Sequence, residues 1–243
     1  TFALHPQFIR LTAAGVEEDD EYRSLRDRLN ALPEVDYQQV NTHKLRLLRS
    51  AFEREGRRTA TRRDYREFMQ ANSRWLLPYA AYRTLRDEFG TADFSRWGDY
   101  ARYDKKAVEA YCRRNSREIA FHCFVQYHLH TQLSEVCAYA RSRGVVLKGD
   151  LPIGVSRTSA DAWIHPRLFH MDSQAGAPPD AFSASGQNWG FPTYDWEHMA
   201  QDGYARRGVT TVQEGMMIPA MEPLDRQLCA AGLLKLDVVG YLD

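Results

Sequence analysis

Asp150 ends the run Val145-Val146-Leu147-Lys148-Gly149 and is followed by Leu151-Pro152. A short β-branched run after a helix reads as a buried strand of a parallel sheet, closed by an acidic residue and a Pro-containing loop. In (β/α) barrels the C-terminal strand ends carry the chemistry, so Asp150 stands where a functional carboxylate would be. The same residue could equally be a turn or N-cap acceptor in the loop toward Ser159-Ala160-Asp161. Residue type alone leaves both open.

A second candidate is the segment Gln187-Asn188-Trp189-Gly190-Phe191-Pro192-Thr193-Tyr194-Asp195-Trp196, with Gly186, Gly190 and Pro192 setting its path. Rings left in water bury nothing, so a loop this aromatic either packs inward or offers rings to a ligand. Sugar C–H faces stack on such rings, and 12% of the chain is aromatic. His128 and His130 form an H-x-H pair, but residues i and i+2 of a helix point about 200° apart and cannot readily share one ion. One packed and one exposed histidine is the expectation. Cys112, Cys123, Cys137 and Cys229 show no C-x-x-C spacing, which argues against a zinc module or a disulfide framework and for reduced core thiols.

The elements that must position these groups read as three zones. Thr1 to Thr12 reads as an extended start that Pro6 keeps from being helical. From Glu17 to about Ala140 the pattern is helical and charged. Asp36 with Gln39 forms an N-terminal cap, and Leu45, Leu48 and Phe52 follow on one face. The arginine-rich run Arg54 to Arg66 contains Glu55 and Asp64 and is flanked by Glu53 and Glu67, as on a solvated helix face rather than a nucleic-acid patch. Ser73 to Phe89 predicts a helix ended by Gly90, with Pro78 near its start, where a missing N–H costs little. Ser116 to Arg143 predicts the longest helix, punctuated by Gly144.

Charge sets the outer bounds. The chain has 243 residues and 32 basic against 32 acidic side chains. That balance excludes a polycation that coats nucleic acid and an acidic disordered tail. With no stretch of about 18 apolar residues and no charged-then-apolar leader, a soluble, cytoplasmic globular protein without a membrane partner is expected.

Several ordered segments carry a specific resemblance. Gly149-Asp150-Leu151-Pro152-Ile153-Gly154-Val155, Ser159-Ala160-Asp161-Ala162-Trp163 and Pro178-Pro179-Asp180 through Trp196 resemble the amylomaltase family, the 4-α-glucanotransferases or disproportionating enzymes. Phe2-Ala3-Leu4-His5-Pro6, Val35-Asp36-Tyr37, Trp75 through Tyr82 and Val125 through His130 agree in order. The set is most similar to the cytosolic plant maltose-using type and its bacterial relatives, over about Thr1 to Ala205.

The resemblance implies an α/β fold, a partial (β/α)8 (TIM) barrel with a largely helical inserted subdomain. The divisions would be 1–16 (start of the barrel), 17–114 (helical insertion), 115–205 (barrel helix, strand and substrate loop) and 206–243 (a divergent tail). It also implies retaining transfer of α-1,4-glucan segments, with one carboxylate as nucleophile and another as acid/base, and no metal or organic cofactor. By position, Asp150 matches the strand-end Asp that hydrogen-bonds the sugar at the cleavage site. Trp189 matches the aromatic covering the acceptor side, and Phe2 falls near the donor sugar.

The family's Arg-aliphatic-Asp-His nucleophile strand, which follows an Asp-Gly-Tyr like Asp202-Gly203-Tyr204, has no match here, nor do the later acid/base Glu and third Asp. No residue of this chain is therefore assigned as catalytic. Forcing Lys235-Leu236-Asp237-Val238 onto that strand is rejected, because Lys replaces Arg, Val replaces His and the spacing is too long. The tail resembles instead an amidohydrolase fragment without its ligand motifs. The expected partners are malto-oligosaccharides. A non-catalytic glucan-binding or scaffold chain is the alternative, and uncovered sheet edges predict self-association.

Overall fold

The computed structural model describes residues 3–149, 153–181, 183–202, 211–217 and 237–242. The chain divides into two compact units, Thr1–Lys148 and Gly149–Asp243.

The first unit is helical. Its helices are α1 (Asp20–Asn30), α2 (Tyr37–Thr61), α3 (Arg63–Phe89), α4 (Lys105–Arg114) and α5 (Ser116–Ser142). Asp19 caps α1 by accepting from the Tyr22 N–H, and Asp36 caps α2 by accepting from the Gln39 N–H at 2.9 Å. The Gln39 amide returns a bond to the other Asp36 oxygen at 2.7 Å, so the two side chains brace the first turn. The expected face of α2 is the buried one. Leu48 and Ala51 are sealed against Phe121, Phe124, Val125 and Leu129 of α5, with Leu45 and Phe52 packed beside them. The rings of Phe121 and Phe124 meet Phe52 edge-on at 5.7 and 5.5 Å.

Helix α3 begins at Arg63, ten residues before the expected start, which places Pro78 in the helix interior. Asp64, Arg62 and Glu67 account for the extension. Arg63 pairs with Glu67 one turn on, and Asp64 accepts from both the Arg62 guanidinium and the Tyr127 hydroxyl. These bonds hold Asp64 far below the usual carboxylate range, the Arg62 bond being the largest cause. Phe68 and Leu76 are buried along the same helix. Packing over both ends holds a proline that supplies no N–H to the Arg74 carbonyl. The arginine-rich run lies along exposed turns and is ion-paired, Arg54 to Glu17, Arg58 to Glu55 and Arg63 to Glu67. Gly90 and Gly144 end α3 and α5 at φ 64° and 73°. After Gly144 the Val145 N–H returns to the Ala140 carbonyl, closing the last turn.

Two further expectations need correction. Pro6 does not hold the start extended; it opens a 3-10 turn, Pro6–Phe8, at the position where its missing N–H costs nothing. Val145, Val146 and Leu147 do not form a buried strand; they have no regular structure and are 52%, 86% and 53% exposed. Among the described residues no strand pairs with them, and an extended segment without a partner satisfies neither its N–H groups nor its carbonyls.

The second unit is built from short pieces. Helix α6 (Ala160–Ile164), capped by the Ser159 hydroxyl, is followed by β1 (Phe169–His170), β2 (Gly176–Ala177), β3 (Gln187–Asn188), β4 (Thr193–Tyr194) and α7 (Trp196–Asp202). The antiparallel pairs are β1 with β4 and β2 with β3. Leu168, Phe169 and Met199 are buried together, with Val155 and Tyr194 against them. Two further strands, β5 (Thr211–Met217) and β6 (Asp237–Leu242), pair in parallel, Thr211 opposite Asp237. No helix among the described residues is long and apolar enough to cross a membrane.

Candidate functional site

Phe2, Asp150 and Cys229 lie outside the described residues, whereas the residues that follow Phe2 and the loop that carries Trp189 lie within them.

The segment after Phe2 is clamped to α5 by two glutamines. The side-chain amide of Gln126 accepts from the Leu4 N–H at 2.9 Å and donates to the Leu4 carbonyl at 2.8 Å. Six residues on, Gln132 treats Arg10 in the same way, at 2.8 and 3.1 Å. An amide offering a donor and an acceptor side by side does for one residue what a neighbouring strand would do. The Lys44 ammonium adds bonds to the Gln7 and Ile9 carbonyls, and burial lowers its pKa. The segment from Leu4 to Leu11 is thus fixed by polar bonds from Gln126, Gln132 and Lys44 and by Ile9 and Leu11 in the core.

The aromatic loop is a tight ribbon. The Trp189 N–H donates to the Ala175 carbonyl, and the Ala175 N–H donates to the Phe191 carbonyl. Trp189 is 39% exposed, its Nε1 donates to Gln187 Oε1 at 2.9 Å, and its ring lies 5.8 Å from the Phe191 ring. Both readings of the loop therefore have a physical basis: Pro192 is buried, while the rings of Trp189 and Trp196 present faces to solvent. Gly176 is needed for the close approach of the two strands, since a Cβ there would sit 2.1 Å from the Gln187 carbonyl oxygen. Gly186 turns the ribbon at φ 70°.

Arg157 carries the loop's shape. Its guanidinium donates to the carbonyls of Met171, Ser173 and Gly190, tying both sides of the ribbon together. Sequence reasoning missed it and the two clamping glutamines, because the partners are backbone carbonyls or lie up to 122 positions away, and neither leaves a local pattern. Asp195 at the end of the loop accepts from the His198 N–H at 2.9 Å and lies 2.7 Å from His198 Nδ1. Those bonds, the backbone one first, lower its pKa.

His128 and His130 divide as expected. His128 is packed edge-on to Phe124 at 4.4 Å and its pKa is pushed down to about 4 by burial, whereas His130 is exposed. Among the described residues no group of three or more His, Cys, Asp or Glu could hold a metal ion. Cys112, Cys123 and Cys137 are free thiols, and Cys123 is buried.

Comparison with known proteins adds the relationship. The family model for 4-alpha-glucanotransferase matches residues 1–207. A 4-alpha-glucanotransferase of Oryza sativa subsp. japonica is 43% identical over 210 residues, covering 84% of this chain and 22% of the relative. One of Synechocystis is 38% identical over 183 residues, covering 71% and 36%. The solved amylomaltase from Streptococcus agalactiae in complex with acarbose superposes with a TM-score of 0.71 at 29% identity, covering 82% of this chain and 42% of that one. This chain therefore spans between about a fifth and two fifths of the length of these relatives. With the motifs in family order and the model matched over most of the chain, this protein belongs to the 4-alpha-glucanotransferase family.

Proposed function

We propose that the chain provides the helical subdomain and acceptor-side loop of a 4-α-glucanotransferase. That enzyme moves α-1,4-glucan segments between maltose, maltodextrin or glycogen-like acceptors in the cytoplasm, on a partial (β/α)8 barrel. The observation that carries this reading is Trp189, 39% exposed on a ribbon whose backbone bonds Trp189 to Ala175 and Ala175 to Phe191. A rigid ring face is what a glucosyl unit stacks on. The acarbose bound in the streptococcal relative fits a glucan-like occupant. Asp150 would orient a sugar hydroxyl at the cleavage point, and Phe2 would border the donor sugar.

Retaining transfer needs a nucleophilic carboxylate and an acid/base on either side of the scissile bond. Neither has a matching motif in these 243 residues, and the two act as a unit, so loss of the pair costs many orders of magnitude in rate. The chain purified alone is expected to bind malto-oligosaccharide without disproportionating maltotriose. Disproportionation that disappears in Asp237→Ala would overturn this, since the tail strand would then supply the nucleophile. Failure of maltoheptaose to change the tryptophan fluorescence would remove the glucan-binding reading altogether. The exposed Leu133, Val136 and Tyr139 on α5, with Val145 to Leu147 after it, are apolar surface that favours self-association. Sedimentation as a monomer at micromolar concentration would count against that part.

A further inference from the structure

Between α3, α4 and α5 lies a cavity of about 910 Å3, lined by residues of the helical unit. Leu77, Val108 and Ile119 line it with aliphatic carbon. Cys123 lies in the same wall, its thiol pushed up to about 12 by burial, so this wall presents no charge. The charged lining residues are of a different kind. Arg74 and Arg113 line the cavity, are exposed, and have no carboxylate within ion-pair distance among the described residues. The lining carboxylate of Glu109 faces Lys105 at 3.9 Å and is thereby countered. The size lies in the range of small-molecule sites, roughly 300–1,000 Å3.

We propose that this cavity binds an amphiphile with a single anionic head and an apolar body, of the medium-chain carboxylate type. The chain lies against Leu77, Val108 and Ile119, and the carboxylate is held by the guanidinium groups of Arg74 and Arg113. Tyr65, Ser73, Tyr103 and Ser116 also line the cavity, but sugar hydroxyls placed against Leu77, Val108 and Ile119 would lose their water bonds without replacement. A neutral alkane body would fill the walls but leave both guanidinium groups without a counter-charge. Two guanidinium donors and a carboxylate make charge-assisted bonds, which supply the selectivity for the anion.

The probe is sodium laurate below its micellar concentration, compared by calorimetry with dodecanol, which has the same chain and no charge. Laurate is expected to bind one to one and about tenfold or more tighter than dodecanol, the difference shrinking as salt is raised. Arg74→Gln with Arg113→Gln should erase that difference and leave dodecanol binding unchanged. Absence of laurate binding, or an equal affinity for both probes, overturns the proposal. An independent readout does not depend on the double variant folding. Laurate should slow alkylation of Cys112, which lines the cavity, while Cys137, near the far end of α5, keeps its rate. Equal effects on the two thiols, or protection of Cys112 by maltotriose and not by laurate, would also overturn it.

Discussion

In the helical unit Leu48, Ala51, Phe121 and Phe124 are sealed between α2 and α5, and long helices carry their own backbone hydrogen bonds. Around Trp189 the paired strands are two residues long, and the chain's path depends on Gly176, Gly186 and the three carbonyls gathered by Arg157. Stability in the first region comes from apolar area removed from water. Shape in the second comes from a few polar contacts and from the space that glycine leaves. The contrast teaches where each kind of substitution should be felt: volume in the helices, backbone geometry in the ribbon.

The sharpest way to break the contrast is Leu48→Ala. Leu48 is fully buried, and truncating it leaves a cavity that the rings of Phe121 and Phe124 can fill only in part. A loss of about 3–5 kcal/mol is expected by urea unfolding followed through helical circular dichroism. A loss below about 1 kcal/mol would mean that the α2–α5 seam is not where the unit's stability lies.

Gln126→Leu tests the polar clamp inside the same unit. The change keeps the volume and leaves the Leu4 N–H and carbonyl without partners, which should cost about 1–3 kcal/mol. Hydrogen exchange should rise at Leu4 and not at Leu129. Uniform loosening of α5 would instead make Gln126 a packing residue.

His122 sets a pH dependence. It is buried, its Nε2 has no hydrogen-bond partner, and burial first, then Arg83 and Arg49, push its pKa down to about 3. The folded value lies below the unfolded one of about 6.5. The contribution of neutral His122 is therefore complete above pH 6.5 and is lost as the pH falls toward 3. Between pH 7 and 5.5 this amounts to about 1 kcal/mol, and His122→Gln should flatten the slope. A slope unchanged in the variant would assign the effect to His128 and His5, whose pKa values are depressed in the same direction.

What could be read from residue order follows from the range of each interaction. The Asp36–Gln39 cap, the helix stops at Gly90 and Gly144 and the Leu45, Leu48 and Phe52 face are set within one or two helical turns, and each was legible. Pro78 was misplaced because the turns before it are held by Asp64 bonding to Tyr127, 63 positions away. Val145 to Leu147 has the composition of a buried strand, but a strand exists only with a neighbour, and that is not a property of the segment itself. The aromatic loop was legible as composition. Arg157 and Gln126, which fix the backbone around it and around the segment after Phe2, were not, because an arginine or glutamine bonding to carbonyls leaves no periodicity.

Trp189→Ala should give the smallest change in stability and is the most informative about function. The residue is 39% exposed, and its backbone N–H bond to Ala175 survives the substitution, so the ribbon should keep its path. Unfolding free energy is expected to move by less than about 0.5 kcal/mol, as for other partly exposed positions. Maltoheptaose titration should nevertheless lose most of its fluorescence change, since the stacked face is gone. A ring–sugar contact is worth on the order of 1 kcal/mol, which corresponds to roughly fivefold in affinity. Gly176→Ala provides the converse: it leaves the ring in place but forces the two strands apart, so it should weaken the same titration while the helical signal stays unchanged. If Trp189→Ala lowers stability by 2 kcal/mol or more and leaves the titration intact, the ring belongs to the core of the ribbon, and the contrast between a packed unit and an open loop fails at the residue that defines it.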